Sequence, residues 1–304
     1  MKDCLSELGH DLIELHLDPR FPPDPPEAEF KIYAHKTRRE VPHSNLFYKE
    51  MHLKGLFTLD ADGWGPEHSA MRRRPNLDAV DPERAERFVG ALRHDFLRTG
   101  RSKHAQPARR PIDDRLKPYV LVPLQLPTDD TILNYSPVSV IEFVHIIADW
   151  ADKAKHNVIF KLHPAVEHPG LAEAVHQRMA SSRYLFCLPE NIHSLIAEAR
   201  GVIVINSGVG FESLIHGKPV VTFGQCDYQW ATFRGTARNL PEALDYFEGY
   251  AAQQQRLGYQ FIYFYYWQHA FSVGDGLIGQ TKQRVKAYLT AALASAGKQK
   301  MSGQ

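Results

Sequence analysis

Four short polar sets in this chain each follow a β-rich run: Asp60 with Asp62, Asp129 with Asp130, Lys161 with His163, and Asn206 with Ser207. Carboxylates can act as nucleophiles or proton carriers, whereas a lysine, a histidine and a serine hydroxyl can hold an anion or stabilise one that departs. Together these types suit a reaction that breaks a bond to a phosphate. Singly, each has a plainer alternative. Paired aspartates commonly shape a turn, and a histidine before a proline commonly caps one. The functional reading gains because strands of one parallel sheet end on one edge, where the sets would converge.

The stretch that must position the last set is 201–224, GVIVINSGVGFESLIHGKPVVTFG. Val202 to Ile205 is an unbroken β-branched run suited to a strand covered on both faces. Gly210 to Ile215 reads as the first turns of a helix, stopped by Gly217-Lys218-Pro219, and Val220 to Phe223 reads as a second strand. In such a βαβ unit the turn after the first strand offers unpaired backbone N–H groups and a helix dipole, so Ser207, Gly208 and Gly210 could admit a phosphate close to the main chain. The same glycines could equally make a tight turn and nothing more. Glu212, in the first turn of that helix, could accept hydrogen bonds from a ribose or a base, or simply favour the helix N-terminus.

Around this unit, strands expected at 119–124, 158–162 and 184–188 alternate with helices at 138–153, 171–179 and 192–199, the pattern of a doubly wound α/β domain. Before residue 116 the patterning is weaker. Strands are expected at 12–17, 30–34 and 55–59, a proline-rich loop at 19–26 and a helix at 81–97. Residues 98–115, rich in Arg, Lys and Pro, read as a polar linker. This predicts an N-terminal domain over 1–116 and a C-terminal domain over 117–304, with a final amphipathic helix at 280–294 that could pack back on the first domain. The aromatic run at 246–267 reads as core.

At 304 residues and 43% hydrophobic content the chain can bury a large core. Thirty-six basic against 35 acidic residues leave no global field that argues for nucleic acid. Three widely spaced cysteines fit neither a disulfide framework nor a zinc knuckle, and no metal-ligand cluster is visible. The N-terminus lacks the pattern of a signal peptide and no run reaches membrane-spanning length, so a cytoplasmic protein is expected. Arg72-Arg73-Arg74 and Arg109-Arg110 could steer an anionic acceptor or touch a membrane surface, or lie in solvated loops.

The residues of 119–235 resemble the bacterial capsule polysaccharide β-Kdo transferases and, more distantly, the bacterial sialyltransferases. VPLQLPTDDTI looks like that family's strand followed by a Gln, a spacer and an Asp. VIFKLHPAV looks like its Lys-x-His-Pro element, and NSGVGFESLIHGKPVVTFGQCDY like its Asn-Ser-x-x-Gly-Phe-Glu element with the trailing Gly and Tyr. LDADGWGPEHS looks like its acidic-Gly-aromatic turn, but Ala61 stands where the family tends to carry a glutamate.

The resemblance implies a GT-B-like α/β architecture, two Rossmann-like domains facing a cleft, the N-terminal one short and irregular. It implies CMP-β-Kdo as donor, a capsule or lipopolysaccharide glycan or glycolipid as acceptor, retention at the anomeric carbon, and no metal cofactor. Work at the inner face of the membrane would follow. Asp129, four residues after Gln125, takes the family's Asp position and is the expected nucleophile, with Asp130 in reserve. Asp62 or Asp60 is the expected acid/base. Gln125, Lys161, His163, Pro164, Asn206, Ser207, Gly208, Gly210 and Glu212 are the expected donor-binding set. Two other readings stay open: a transferase or epimerase using a UDP-sugar, and a non-catalytic capsule assembly protein that keeps the fold.

Overall fold

In the computed structural model, residues 1–15, 28, 30–42, 44–53, 55–99, 102–164, 168–272 and 281–302 are described. In chain order the strands are β1 (Ile32–Ala34), β2 (Leu46–Glu50), β3 (Leu56–Asp60), β4 (Tyr119–Pro123), β5 (Asn157–Lys161), β6 (Leu185–Cys187), β7 (Gly201–Val204), β8 (Val220–Thr222), β9 (Phe233–Arg234) and β10 (Ala270–Ser272). The helices are α1 (Lys2–Glu7), α2 (Pro82–Thr99), α3 (Asp130–Tyr135), α4 (Val140–Ala154), α5 (Pro169–Ser181), α6 (Ile192–Glu198), α7 (Gly208–Ile215), α8 (Ala243–Glu248), α9 (Ala252–Phe264) and α10 (Thr281–Ser302). They fall into two compact units, one of Met1–Met51, Gly55–Arg72 and Tyr266–Gln304, the other of His52–Lys54 and Arg73–Tyr265.

The first unit is a four-stranded sheet in the order β1-β2-β3-β10. Only β1 and β2 run parallel; β3 is antiparallel to both of its neighbours. The half expected to be short and irregular is thus a mixed sheet. The physical reason is the connection: residues 51–55 suffice for a hairpin, whereas a parallel pair needs a crossover of a dozen residues or so. Leu46, Phe57, Leu59 and Phe271 from the sheet pack with Cys4 and Leu5 of α1 and with Val285 and Leu289 of α10. Of the strand expected at 12–17, residues 12–15 are irregular, with Ile13 66% exposed, and the rest lies outside the described residues, as does the loop at 19–26.

The second unit holds a six-stranded, wholly parallel sheet in the order β6-β5-β4-β7-β8-β9. Its central strands β4 and β7 are buried at every position, as their unbroken apolar runs require. Phe143, Val144 and Ile147 of α4 cover one face together with Val175 of α5. Each fully buried side chain of this size contributes about 1.5–3 kcal/mol.

The boundary expected at 116 is also corrected, because 73–116 belongs to the second unit. The reason is α2, whose stripe Ala85, Val89 and Leu92 is fully buried. It meets α9 through Phe88 against Tyr263 and through Arg93 Nη1, which donates to the Tyr259 hydroxyl at 3.0 Å. The aromatic run thus serves as packing, with Phe261 and Tyr265 buried.

Candidate functional site

The chain builds this sheet outward in one direction from β4 to β6 and in the other from β7 to β9, so its topological switch point lies between β4 and β7. Ligands of open α/β sheets bind beyond the carboxyl ends of the strands at such a point. Register sets Leu121 beside Val202, each two residues before the end of its strand, so the strand ends are level there.

Across the switch point the Gln125 amide clasps Asn206. Gln125 Nε2 donates to Asn206 Oδ1 at 2.9 Å, and Asn206 N donates to Gln125 Oε1 at 3.3 Å. Gln125 Nε2 also reaches Thr131 Oγ1 at 3.0 Å, while Asn206 Nδ2 donates to the Thr131 carbonyl at 2.8 Å. Thr131 in turn donates twice to Asp129 Oδ1, from its amide at 2.9 Å and its hydroxyl at 2.8 Å. Asp129 is therefore the N-cap of α3 and half-buried, with Oδ1 fixed and, among the described residues, no hydrogen bond to Oδ2. Asp130, the first residue of α3, is exposed.

At the end of β5, Lys161 is buried and its ammonium donates to the Pro189 carbonyl at 3.1 Å, tying β5 to the loop before α6. Burial pushes its pKa below the ordinary value. One of its three N–H donors thus braces that loop. His163 is half-buried and Pro164 exposed. The His163 ring stands edge-on to His104, with centroids 4.7 Å apart. Burial, then His104, pushes the His163 imidazole down from its usual value, and Asp129 opposes them. Asp129 and His163 are thus electrostatic neighbours.

At the end of β7, Ser207 caps α7, its Oγ accepting from Val209 N at 3.3 Å and so keeping its own hydrogen to donate. The Gly210 amide is spent on the Ser207 carbonyl at 2.9 Å, and a Cβ on Gly210 would stand 2.5 Å from the Tyr228 hydroxyl. Gly210 therefore admits Tyr228 rather than a phosphate, which corrects its expected role. Tyr228 also donates its hydroxyl to the Ser207 carbonyl. Gly208 is half-exposed, and a Cβ there would stand 3.0 Å from His52 Nδ1.

Glu212 is corrected as well. Because α7 begins at Gly208, Glu212 lies in its second turn and is 2% exposed, out of reach of a ribose. Its Oε1 accepts from Ser102 Oγ at 2.7 Å, and its Oε2 has no hydrogen-bond partner among the described residues. Burial pushes its carboxyl up to about 7, against the smaller opposing effects of Ser102 and His52.

In the first unit the two aspartates part company. Asp60, 3% exposed, is consumed by its own turn: Oδ1 accepts from the amides of Asp62, Gly63 and Ser69 at 2.8, 3.2 and 3.0 Å, and Oδ2 from Ser69 Oγ at 2.5 Å. A carboxylate so occupied is a turn anchor, and its acid/base candidacy is withdrawn. Asp62 is more exposed, with oxygens 3.8 Å from Arg38 Nε and 3.5 Å from Arg72 Nη1.

Two features escaped the sequence. Residues 102–112, read as a free linker, lie along the carboxyl edge: Ser102 holds Glu212, Gln106 Oε1 accepts from Ile192 N at 3.1 Å, and Asn191 Nδ2 donates to the Pro107 carbonyl at 2.9 Å. His52, in the short stretch of the second unit before β3, bonds through Nε2 to Asp227 Oδ1 at 2.8 Å, and Asp227 Oδ2 accepts from the Tyr265 hydroxyl at 2.6 Å. The His52 ring stacks on Phe211, centroids 5.2 Å apart, with Nδ1 turned towards Gly208. Asp227 follows the motif at 206–224 closely enough to have been noticed, but His52 carried no signal.

Among the described residues, no helix is long and apolar enough to cross a membrane. Of curated proteins, FixF of Sinorhizobium fredii is 31% identical over 113 residues, 36% of this chain, which spans only 27% of FixF. Of solved structures, the β-Kdo 2,7 transferase of Thermosulfurimonas dismutans KpsC matches with a TM-score of 0.53 at 19% identity, covering 86% of this chain and 84% of that one. The β-Kdo 2,4 transferase of the same KpsC matches at 0.47 and 14% identity, over 85% and 86%. The first likeness carries the fold, which is α/β and GT-B-like. The family model described as capsule polysaccharide biosynthesis protein matches residues 83–240, just over half of the chain. On that match, with a switch-point site at the centre of the matched region, the chain belongs to the capsule polysaccharide biosynthesis protein family.

Proposed function

We propose that the chain is a retaining glycosyltransferase that moves Kdo, or a related acidic sugar, from CMP-β-Kdo to a growing capsule or lipopolysaccharide glycan. The observation that carries this reading is the Gln125–Asn206 clasp, which brings the Asp129 cap and the Ser207 cap to one switch point, with His163 beside them. A carboxylate held by one oxygen and free at the other suits a nucleophile. In the first step Asp129 Oδ2 attacks the anomeric carbon, and the bond from that carbon to the phosphate oxygen breaks with its electron pair leaving on CMP. His163, the Ser207 hydroxyl and the Gly208 amide are the proposed donors to the departing phosphate.

In the second step the acceptor hydroxyl attacks the glycosyl ester and loses its proton to a base. The ester bond returns its electrons to Asp129, and two inversions restore the configuration. Asp62 is the proposed base, since the Asp60 carboxylate is consumed by its turn. The reading sets the transfer in the cytoplasm, near the inner face of the membrane, and calls on no metal.

Incubation with CMP-Kdo and no acceptor should leave a glycosyl adduct on Asp129, seen by intact mass and peptide mapping. Asp129→Asn should lose the adduct and slow transfer by on the order of 10^3-fold or more. Undiminished turnover in that variant removes the assignment. A second reading, a non-catalytic sugar-nucleotide binder, is favoured by the use of Asp129 Oδ1 as an ordinary helix cap. CMP binding with no product from any acceptor would select it, and binding of UDP instead of CMP would select a UDP-sugar enzyme.

A further inference from the structure

We propose that His104 and His163 together form one phosphate seat, which takes up a proton when a nucleoside monophosphate fills it. This rests on the CMP-donor reading above, and it adds a residue from the segment that the sequence presents as a linker.

The geometry of that segment is the first argument. Ser102, Gln106 and Pro107 are each hydrogen-bonded to a different part of the second unit, at Glu212, Ile192 and Asn191. His104 sits between these anchors with an exposed side chain, and its ring meets His163 at 4.7 Å and 75°. An exposed histidine on an unanchored loop would be unremarkable. Here both sides of His104 are held, so its ring is presented to the edge of the sheet beside the histidine two residues after β5.

The charges around the pair are the second argument. Among the described residues, the charged groups that act on His163 include His104 from the crossing segment, Asp129 from the loop before α3 and Lys161 from β5. Lys161 is engaged with the Pro189 carbonyl, and burial, then His104, holds His163 below the usual histidine range. Two imidazoles this close repel once both are protonated, which adds to burial in holding His163 uncharged while the seat is empty. A phosphate dianion reverses that preference, because each imidazolium N–H can then donate to an oxygen. Filling the seat draws a proton from solvent at neutral pH, and emptying it returns the proton.

The test is calorimetric titration of the full chain at pH 7 with CMP, cytidine and inorganic phosphate, in buffers of different ionisation enthalpy. Wild type should take up about one proton per CMP and none with cytidine. His104→Ala, at an exposed position that leaves the fold intact, should bind CMP about tenfold more weakly, with the uptake at least halved and cytidine binding unchanged. His104→Lys should recover CMP affinity without recovering the uptake, which a purely structural role would not produce. CMP affinity and proton count both unchanged in His104→Ala overturn the seat and leave the donor reading standing. Wild type that binds no CMP overturns both. Proton uptake with inorganic phosphate, lost in His104→Ala, supports the seat for the bare anion.

Discussion

Replacing Glu212 by Gln should change how the stability of the protein depends on pH, in a direction that the buried carboxyl dictates. Its carboxyl is raised from 4.5 to about 7, chiefly by burial. Below pH 4.5 the group is protonated in both folded and unfolded chains and does not affect the balance. Between 4.5 and about 7 the unfolded chain ionises while the folded chain stays neutral, so stability falls as pH rises. Above about 7 the loss is complete. A shift of this size corresponds to roughly 3 kcal/mol at about 1.4 kcal/mol per pKa unit.

Other groups act in the opposite sense. His216 is pushed down to about 3 by burial and then by His193, so it contributes stability as pH rises through the unfolded histidine value. The wild type alone therefore shows a composite curve. Glu212→Gln keeps the shape and the Ser102 bond but does not titrate. The difference between the two proteins isolates the carboxyl. Urea unfolding followed by circular dichroism at pH 5 and pH 8 should show the variant gaining on wild type by about 2.5 kcal/mol, a midpoint difference of roughly 1 M. Parallel profiles for the two proteins refute a neutral buried Glu212.

Gln125→Ala should destabilise the second unit by about 2–3 kcal/mol, because the buried Asn206 amide loses its acceptor while Asn206 Oδ1 loses its donor; denaturant midpoints of variant and wild type check this. Gly210→Ala should cost about 1–3 kcal/mol by driving a methyl into the Tyr228 ring. Combined with Tyr228→Ala, that cost should largely vanish, and a double-mutant cycle with strictly additive energies contradicts the packing account.

The second unit was legible because its strands are fully buried and therefore unbroken in sequence: 119–123, 157–161, 201–204 and 220–222 all lie within or beside expected runs. The clasped residues at their ends were legible for the same reason. The first unit was legible in part: β1 and β3 fall on the runs expected at 30–34 and 55–59, whereas β2 and β10 were not expected. β2 carries Lys49 and Glu50 at a half-buried end, and β10 has three residues, too few to show a period. Asp60 was misjudged because its fate rests on three backbone amides whose positions depend on the loop that follows. The segment at 102–112 was misjudged because single side-chain bonds hold it. The one from Ser102 to Glu212 spans 110 positions, and that from His52 to Asp227 spans 175. Periodicity reports which face an element buries, and it is silent on such isolated tethers.

The clasp between Gln125 and Asn206 has a consequence for how this scaffold can change. Each amide spends its hydrogen-bonding capacity largely on the other and on Thr131, so the floor of the switch point is chemically closed and has little left with which to discriminate. On the proposed function, selection among activated sugars then falls to the walls: Asp129 Oδ2, the Ser207 hydroxyl and the imidazoles at 104 and 163. Any of these can be exchanged without unfastening the floor. One sheet can thus accept successive changes of substrate while its foundation stays as it is.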